Sequence, residues 1–173
     1  MEQNRSMGKT RVLVEGALVV ALTVLLSEWK IWKMPQGGSI TLGDVPLLIF
    51  ALRHGAKYGI GTGLVAGLLR LLLGGYVLTP VQAALDYPIA YGALGLAGLL
   101  KDVGPAGAAG VVLGSAGRLL CSVISGAVFF GQYAPAGQNP WVYSLIYNAT
   151  YMVPNAIIGI VITAILLPRL KRF

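Results

Sequence analysis

Four ionisable side chains stand inside apolar runs of this chain, and they are the first candidates for chemistry: Glu15, Arg70, Asp86 and Arg118. A charge placed within a membrane-spanning helix costs ~2.5–3.5 kcal/mol on insertion scales, so it normally faces a cavity or a partner. Arg70 lies near the end of its run, where a long side chain can reach back to the interface. Glu15 is similarly close to one surface. Asp86 is deeper, in QAALDYPIAY, with Gln82 one turn before it and Tyr87 beside it. It either forms a structural ion pair with Arg118 or offers a carboxylate to a cationic or amine-bearing ligand. Ser122, Phe129, Phe130, Gln132 and Tyr133 follow along one run, and Trp141, Tyr143, Tyr147, Asn148 and Tyr151 open the next. Tyr143 and Tyr147 share a helix face at i, i+4. An interfacial belt accounts for aromatics at this depth. Rings with an Asn and an Asp on three helices also suit a planar, positively charged heteroaromatic solute.

Other chemistries lack their residues. Gly8-Lys9-Thr10 ends like a phosphate-binding P-loop, but Gln3 stands where the first glycine is needed and no strand precedes it. The single histidine, His54, sits beside Arg53, and with the single cysteine, Cys121, no metal site is expected. One cysteine excludes a disulfide within the chain. No Ser/His/Asp set and no spaced carboxylate pair marks a catalytic centre, so no enzyme activity and no cofactor are expected. Any energy for moving a solute must come from another chain.

The elements that position these residues are membrane helices. Of 173 residues, 56% are hydrophobic and 11% charged, against ~25% charged in an ordinary soluble domain, and the mean hydropathy is +0.76. The length suits about six spans in a single domain, residues 1–173. The apolar pattern predicts helices at Arg11–Ser27, Gly43–Leu52, Lys57–Leu73, Pro80–Leu100, Pro105–Phe130 and Trp141–Leu167, the last ended by Pro168. Asp44 is placed to cap or start the short second helix, and Pro80 suits a first turn. Trp29 and Trp32 read as interface anchors. No cleavable signal peptide is expected, since the first run is long and more spans follow.

The net charge of +7 does not form a stripe fit for nucleic acid. Arg5, Lys9 and Arg11, then Arg53 and Lys57, then Lys101, and finally Arg169, Lys171 and Arg172 all fall on one side of the predicted spans. Lys30 and Lys33 alone stand in the loops of the other side. The positive-inside rule therefore places both termini in the cytoplasm. Gly59, Gly63 and Gly67, like Gly110 and Gly114, are spaced for close helix packing. Ala17 and Ala21 make a small-xxx-small face on the cytoplasmic half of the first helix, open to packing within the chain or to an outside partner. The loop MPQGGSITLG (Met34–Gly43) is polar and glycine-rich, and looks built to hold a defined shape next to something.

Three segments carry a resemblance: MPQGGSITLGDVPLLIFALRHG (Met34–Gly55), QAALDYPIAYGALGLAGL (Gln82–Leu99) and SGAVFFGQYAPAGQNPWVYSLIYNATYMVP (Ser125–Pro154). They resemble the thiamine-specific substrate-binding S-component of energy-coupling factor (ECF) transporters. The resemblance implies an all-α bundle of six transmembrane helices in a bacterial plasma membrane that captures thiamine from outside. It also implies a coupling membrane subunit and two cytoplasmic ATPases as partners, which fits the missing ATP site. Asp86 then matches the family's acidic ligand-binding residue, a Glu in the better-known members, and Tyr87 follows it. Tyr143 and Asn148 match residues that touch the pyrimidine half. Arg118 falls where some members have a lysine, Phe130 where a stacking tryptophan occurs, and Ser122 where a histidine can occur. Trp29 or Trp32 supplies the first-loop aromatic, and Ala17 with Ala21 forms the docking face. Asp in place of Glu draws the carboxylate back by one methylene, and the Phe and Ser changes weaken stacking.

Two further readings stand beside this one. The chain is a sibling S-component for a thiamine-precursor pyrimidine or riboflavin, or a small membrane scaffold or enzyme without transport activity.

Overall fold

The computed structural model describes residues 2–101, 103 and 107–170, with side chains from residue 8 onward. Pro105, Lys171 and Arg172, and the Arg5 side chain, lie outside the described residues. Among the described residues six main helices follow one another: α1 (Glu2–Glu28), α2 (Asp44–His54), α3 (Ala56–Leu72), α4 (Pro80–Leu100), α5 (Ala108–Phe129) and α6 (Pro140–Leu170). Four of them, α1, α4, α5 and α6, are long and apolar enough to cross a membrane.

The 11-residue α2 is only ~16 Å long, half a bilayer core. Its apolar middle is buried on every face, with Leu47, Leu48, Ala51 and Leu52 fully enclosed, as a stretch hydrophobic all round should be. α1, α3, α4, α5 and α6 pack around it. Asp44 begins this helix but does not cap it: the N-cap is Gly43, without a side-chain bond. The carboxylate goes instead to Arg118 on α5. At the far end Gly55 (φ 89°) turns the chain directly into α3. There Glu15 of α1 holds both Arg53 and His54.

The glycine ridge of α3 packs on α4. A Cβ at Gly63 would come within 2.3 Å of the Tyr91 carbonyl oxygen, and one at Gly67 within 2.5 Å of that of Tyr87. Backbones this close give the van der Waals contact that replaces the missing hydrophobic drive between helices in lipid. Two expected ends differ. α1 begins at Glu2, well before the apolar run, because helix needs no lipid once propagated. Pro168 lies inside α6, which continues to Leu170 rather than ending before the proline.

α4 is irregular where it matters. Thr79 caps it by accepting from the Gln82 backbone N–H at 3.1 Å, with Pro80 in the first turn. Leu85–Ile89 then widens into a π-helical turn containing Pro88. Proline supplies no N–H to the ladder, and the extra residue per turn re-aims the side chains around it, a device common at functional sites. Asp86 and Tyr87 sit in that turn.

Candidate functional site

A cavity of about 720 Å³ opens at the end of the bundle opposite the α2–α3 turn. Its roof is the first loop, an antiparallel hairpin pairing Trp32 with Ile40 and Lys33 with Ser39. The chain reverses through Met34–Gly38, with the Met34 N–H on the Gly38 carbonyl at 3.0 Å. Gly38 has φ 83°, and a Cβ there would strike the Tyr151 ring at 2.4 Å. Glycine is therefore required both by the backbone and by the ring beneath it.

α6 ties this roof down. The Tyr143 hydroxyl donates to Gln36 Oε1 at 2.8 Å. The Tyr147 hydroxyl accepts from the Gln36 N–H and donates to the Gly37 carbonyl, both at 2.9 Å. Asn155 accepts from the Thr41 N–H and donates to the Ser39 carbonyl, both at 3.0 Å. The tyrosines recur every four residues, so Tyr143, Tyr147 and Tyr151 form one wall, with neighbouring centroids 5.9 and 6.4 Å apart.

Asp86 stands on the opposite wall. Gln82, almost wholly buried, donates to Asp86 Oδ2 at 2.6 Å. The other end of the Gln82 amide accepts from the Leu78 N–H at 2.8 Å, which fixes its orientation. Ser125 is also near enough to interact with the carboxylate, though without a hydrogen bond of ordinary geometry. The Tyr87 hydroxyl accepts from the Tyr76 N–H at 2.6 Å. Phe130 lies between Tyr76 and Tyr133, with centroids 6.0 and 6.4 Å away, and this strip rims the mouth.

Asn148 is held firmly. It donates to the Ser144 carbonyl at 2.9 Å and towards that of Ser122 at 3.4 Å, and it accepts from the Tyr151 hydroxyl at 2.6 Å. An amide oxygen has two lone pairs, so one acceptor position remains for a ligand N–H.

The structure thus brings Asp86, Tyr87, Arg118, Ser122, Phe130, Tyr143 and Asn148 to one cavity. Trp32 is not with them. Successive residues of a strand face opposite ways, so Lys33 lines the cavity while Trp32, 63% exposed, does not; Trp29 is outside as well. Of the two readings of Asp86, the ion pair with Arg118 is not formed, because Arg118 is taken by Asp44 and lies 4.5 Å from the centroid of Tyr91. Arg70 also lines the cavity and is paired with Glu28. Sequence reasoning missed Gln36, Tyr76, Tyr91 and Asn155. The first two stand in loops without periodicity, and Asn155 is one turn beyond Tyr151 on the tyrosine face, the one signal available. Ala17 and Ala21 are exposed on α1, far along the helix from this cavity. Among the described residues no group of His, Cys, Asp and Glu could hold a metal.

Known proteins share this fold. The solved structure of ThiT from Listeria monocytogenes superposes with a TM-score of 0.83 at 25% identity, over 94% of this chain and 96% of that one. "Thiamine transporter ThiT" of Bacillus subtilis (strain 168) is 38% identical over 179 residues, 92% of this chain and 93% of that protein. The protein of the same name from Lacticaseibacillus paracasei is 33% identical over 174 residues, 90% and 86% of the two chains. The family model described as "Thiamine transporter protein (Thia_YuaJ)" matches residues 13–173. A multi-pass bacterial membrane protein and not an enzyme, this chain belongs to the thiamine transporter family.

Proposed function

We propose that this chain binds thiamine with high affinity from outside the cell, as the substrate-binding subunit of an ECF-type importer. The observation that carries the reading is the half-buried Asp86, oriented by Gln82 and facing a wall of tyrosines across a cavity sized for one small molecule. A thiazolium is a cation with a flat ring. Tyrosine faces attract the positive charge, and a carboxylate in a low-dielectric pocket meets a cation or an aminopyrimidine N–H far more strongly than in water. Asn148 offers its remaining acceptor to the pyrimidine. The hairpin roof, tied down by Tyr143 and Tyr147, shields these contacts from water. Uptake then draws its energy from two cytoplasmic ATPases through a coupling membrane subunit, which docks on the Ala17–Ala21 face.

Calorimetric titration of the purified protein tests the reading. Thiamine should bind far more tightly than its separate pyrimidine and thiazole halves or riboflavin. Equal or tighter binding of the pyrimidine alone, or of riboflavin, would assign the site to that compound instead. Heat is the better signal, since Trp29, Trp32 and Trp141 do not line the cavity.

We place the hairpin end outside and both termini in the cytoplasm. Lys9, Arg11, Arg53, Lys57, Lys101 and Arg169 belong to the other end of the bundle, and cytoplasmic ends carry the positive excess. With Cys121 replaced by alanine, an impermeant thiol reagent should label Gln138→Cys in intact cells and leave Lys57→Cys unlabelled until the membrane is opened. Labelling in the reverse order sinks the orientation.

A further inference from the structure

Three cations, Lys33, Arg70 and Arg118, line the cavity against a single carboxylate, Asp86. Such a lining would repel a cationic ligand unless the positive charges were cancelled. Lys33 is in the exposed hairpin, where water and salt screen it. Arg70 is paired with Glu28. Arg118 is the critical one, because its side chain is only 16% exposed and it is near enough to Asp86 to interact through space.

Asp44 answers that charge. It is the first residue of α2, its carboxylate is spared from capping, and it is ion-paired with Arg118 from a side chain 11% exposed. Asp44 does not itself line the cavity. The Tyr91 ring, 4.5 Å from the guanidinium carbon, holds the guanidinium on its other contact. An Arg118 deprived of Asp44 has Asp86 as the remaining carboxylate of the cavity lining to turn to. That pairing would consume the one negative charge left for a ligand.

We propose that Asp44 is a positioning residue that sets charge selectivity: by neutralising Arg118 it keeps Asp86 available and lets the site prefer a cation over a neutral molecule of the same shape. The inference rests on the thiamine reading above. It concerns the ratio of two affinities, so it is separable from that reading.

The experiment compares thiamine with its neutral thiophene isostere, in which the thiazolium nitrogen is replaced by carbon, by calorimetry on purified protein. Asp44→Asn should lower the preference for thiamine over the isostere by about tenfold or more, as an uncancelled charge a few ångströms from the ligand in a partly buried site implies. Asp44→Glu should restore the preference. Adding Arg118→Gln to Asp44→Asn should also restore it, whatever the absolute affinities become. Arg118→Gln alone leaves Asp44 as a second negative charge and should raise the preference, which decides the matter if Asp44→Asn does not fold. Loss of both ligands in equal proportion, or an unchanged ratio in Asp44→Asn or in Arg118→Gln, overturns the proposal. Failure of the unmutated protein to bind thiamine overturns the thiamine reading itself, and this inference with it.

Discussion

Asp86→Asn should weaken thiamine binding by about 1.5–3 kcal/mol, the range for a hydrogen bond to a charged group, or roughly 10- to 150-fold in Kd. The structure removes the main rival explanation for such a loss. Were Asp86 the partner of Arg118, the substitution would strand a buried cation and the fold would suffer. Arg118 is instead paired with Asp44, and Gln82 can still donate to the oxygen of an asparagine at position 86. Thermal stability of the unliganded variant should therefore stay close to that of the original protein. Asp86→Glu should bind thiamine well, since it keeps the charge and adds one methylene of reach in a cavity of about 720 Å³. Affinity and unfolding temperature measured on the same preparations decide the question. A destabilised Asn variant with unchanged affinity would return Asp86 to a purely structural role.

A tryptophan at Ala17 or Ala21 should abolish thiamine uptake by cells while leaving the affinity of the purified subunit nearly unchanged. Both alanines are exposed on α1, within an outward face that includes Leu13, Val14, Leu18, Leu22 and Leu25, each at least 48% exposed. A bulky ring there meets no helix of this chain, so the fold and the cavity are spared. On the proposal that a coupling subunit docks on this face, the same ring keeps the partner's backbone away, since small residues at i, i+4 set the distance of approach. Transport assays in cells lacking the native chain, paired with calorimetry, separate the two properties. Normal uptake with tryptophan at both positions would exclude this face as the docking site.

Much of this molecule could be read along the chain. The hydropathy pattern is sufficient for a membrane bundle because lipid leaves a spanning chain few alternatives to hydrogen-bonded helix. Helix spacing is sufficient to put Tyr143, Tyr147 and Tyr151 on one face, and Gly59, Gly63 and Gly67 on another. The type of residue marks Asp86 as expensive to bury, and the glycines of Met34–Gly43 as a shaped turn. These are local properties, set by periodicity and by the cost of taking a charge out of water.

Partnership was decided only by the tertiary structure. Nothing near Asp44 in sequence says that its carboxylate will leave the helix start and cross to Arg118, 74 residues away. Asp86 was as plausible a partner until the α2–α5 packing placed Asp44 nearer. Trp32 and Lys33 are neighbours, and only the hairpin register shows which one faces the cavity. The π-turn at Leu85–Ile89 shifts the aim of Asp86 by a fraction of a turn that ideal periodicity cannot report. An ion pair or a hydrogen bond falls off over a few ångströms, whereas the sequence specifies distance only along the chain. Which carboxylate meets which cation is therefore settled when the helices pack.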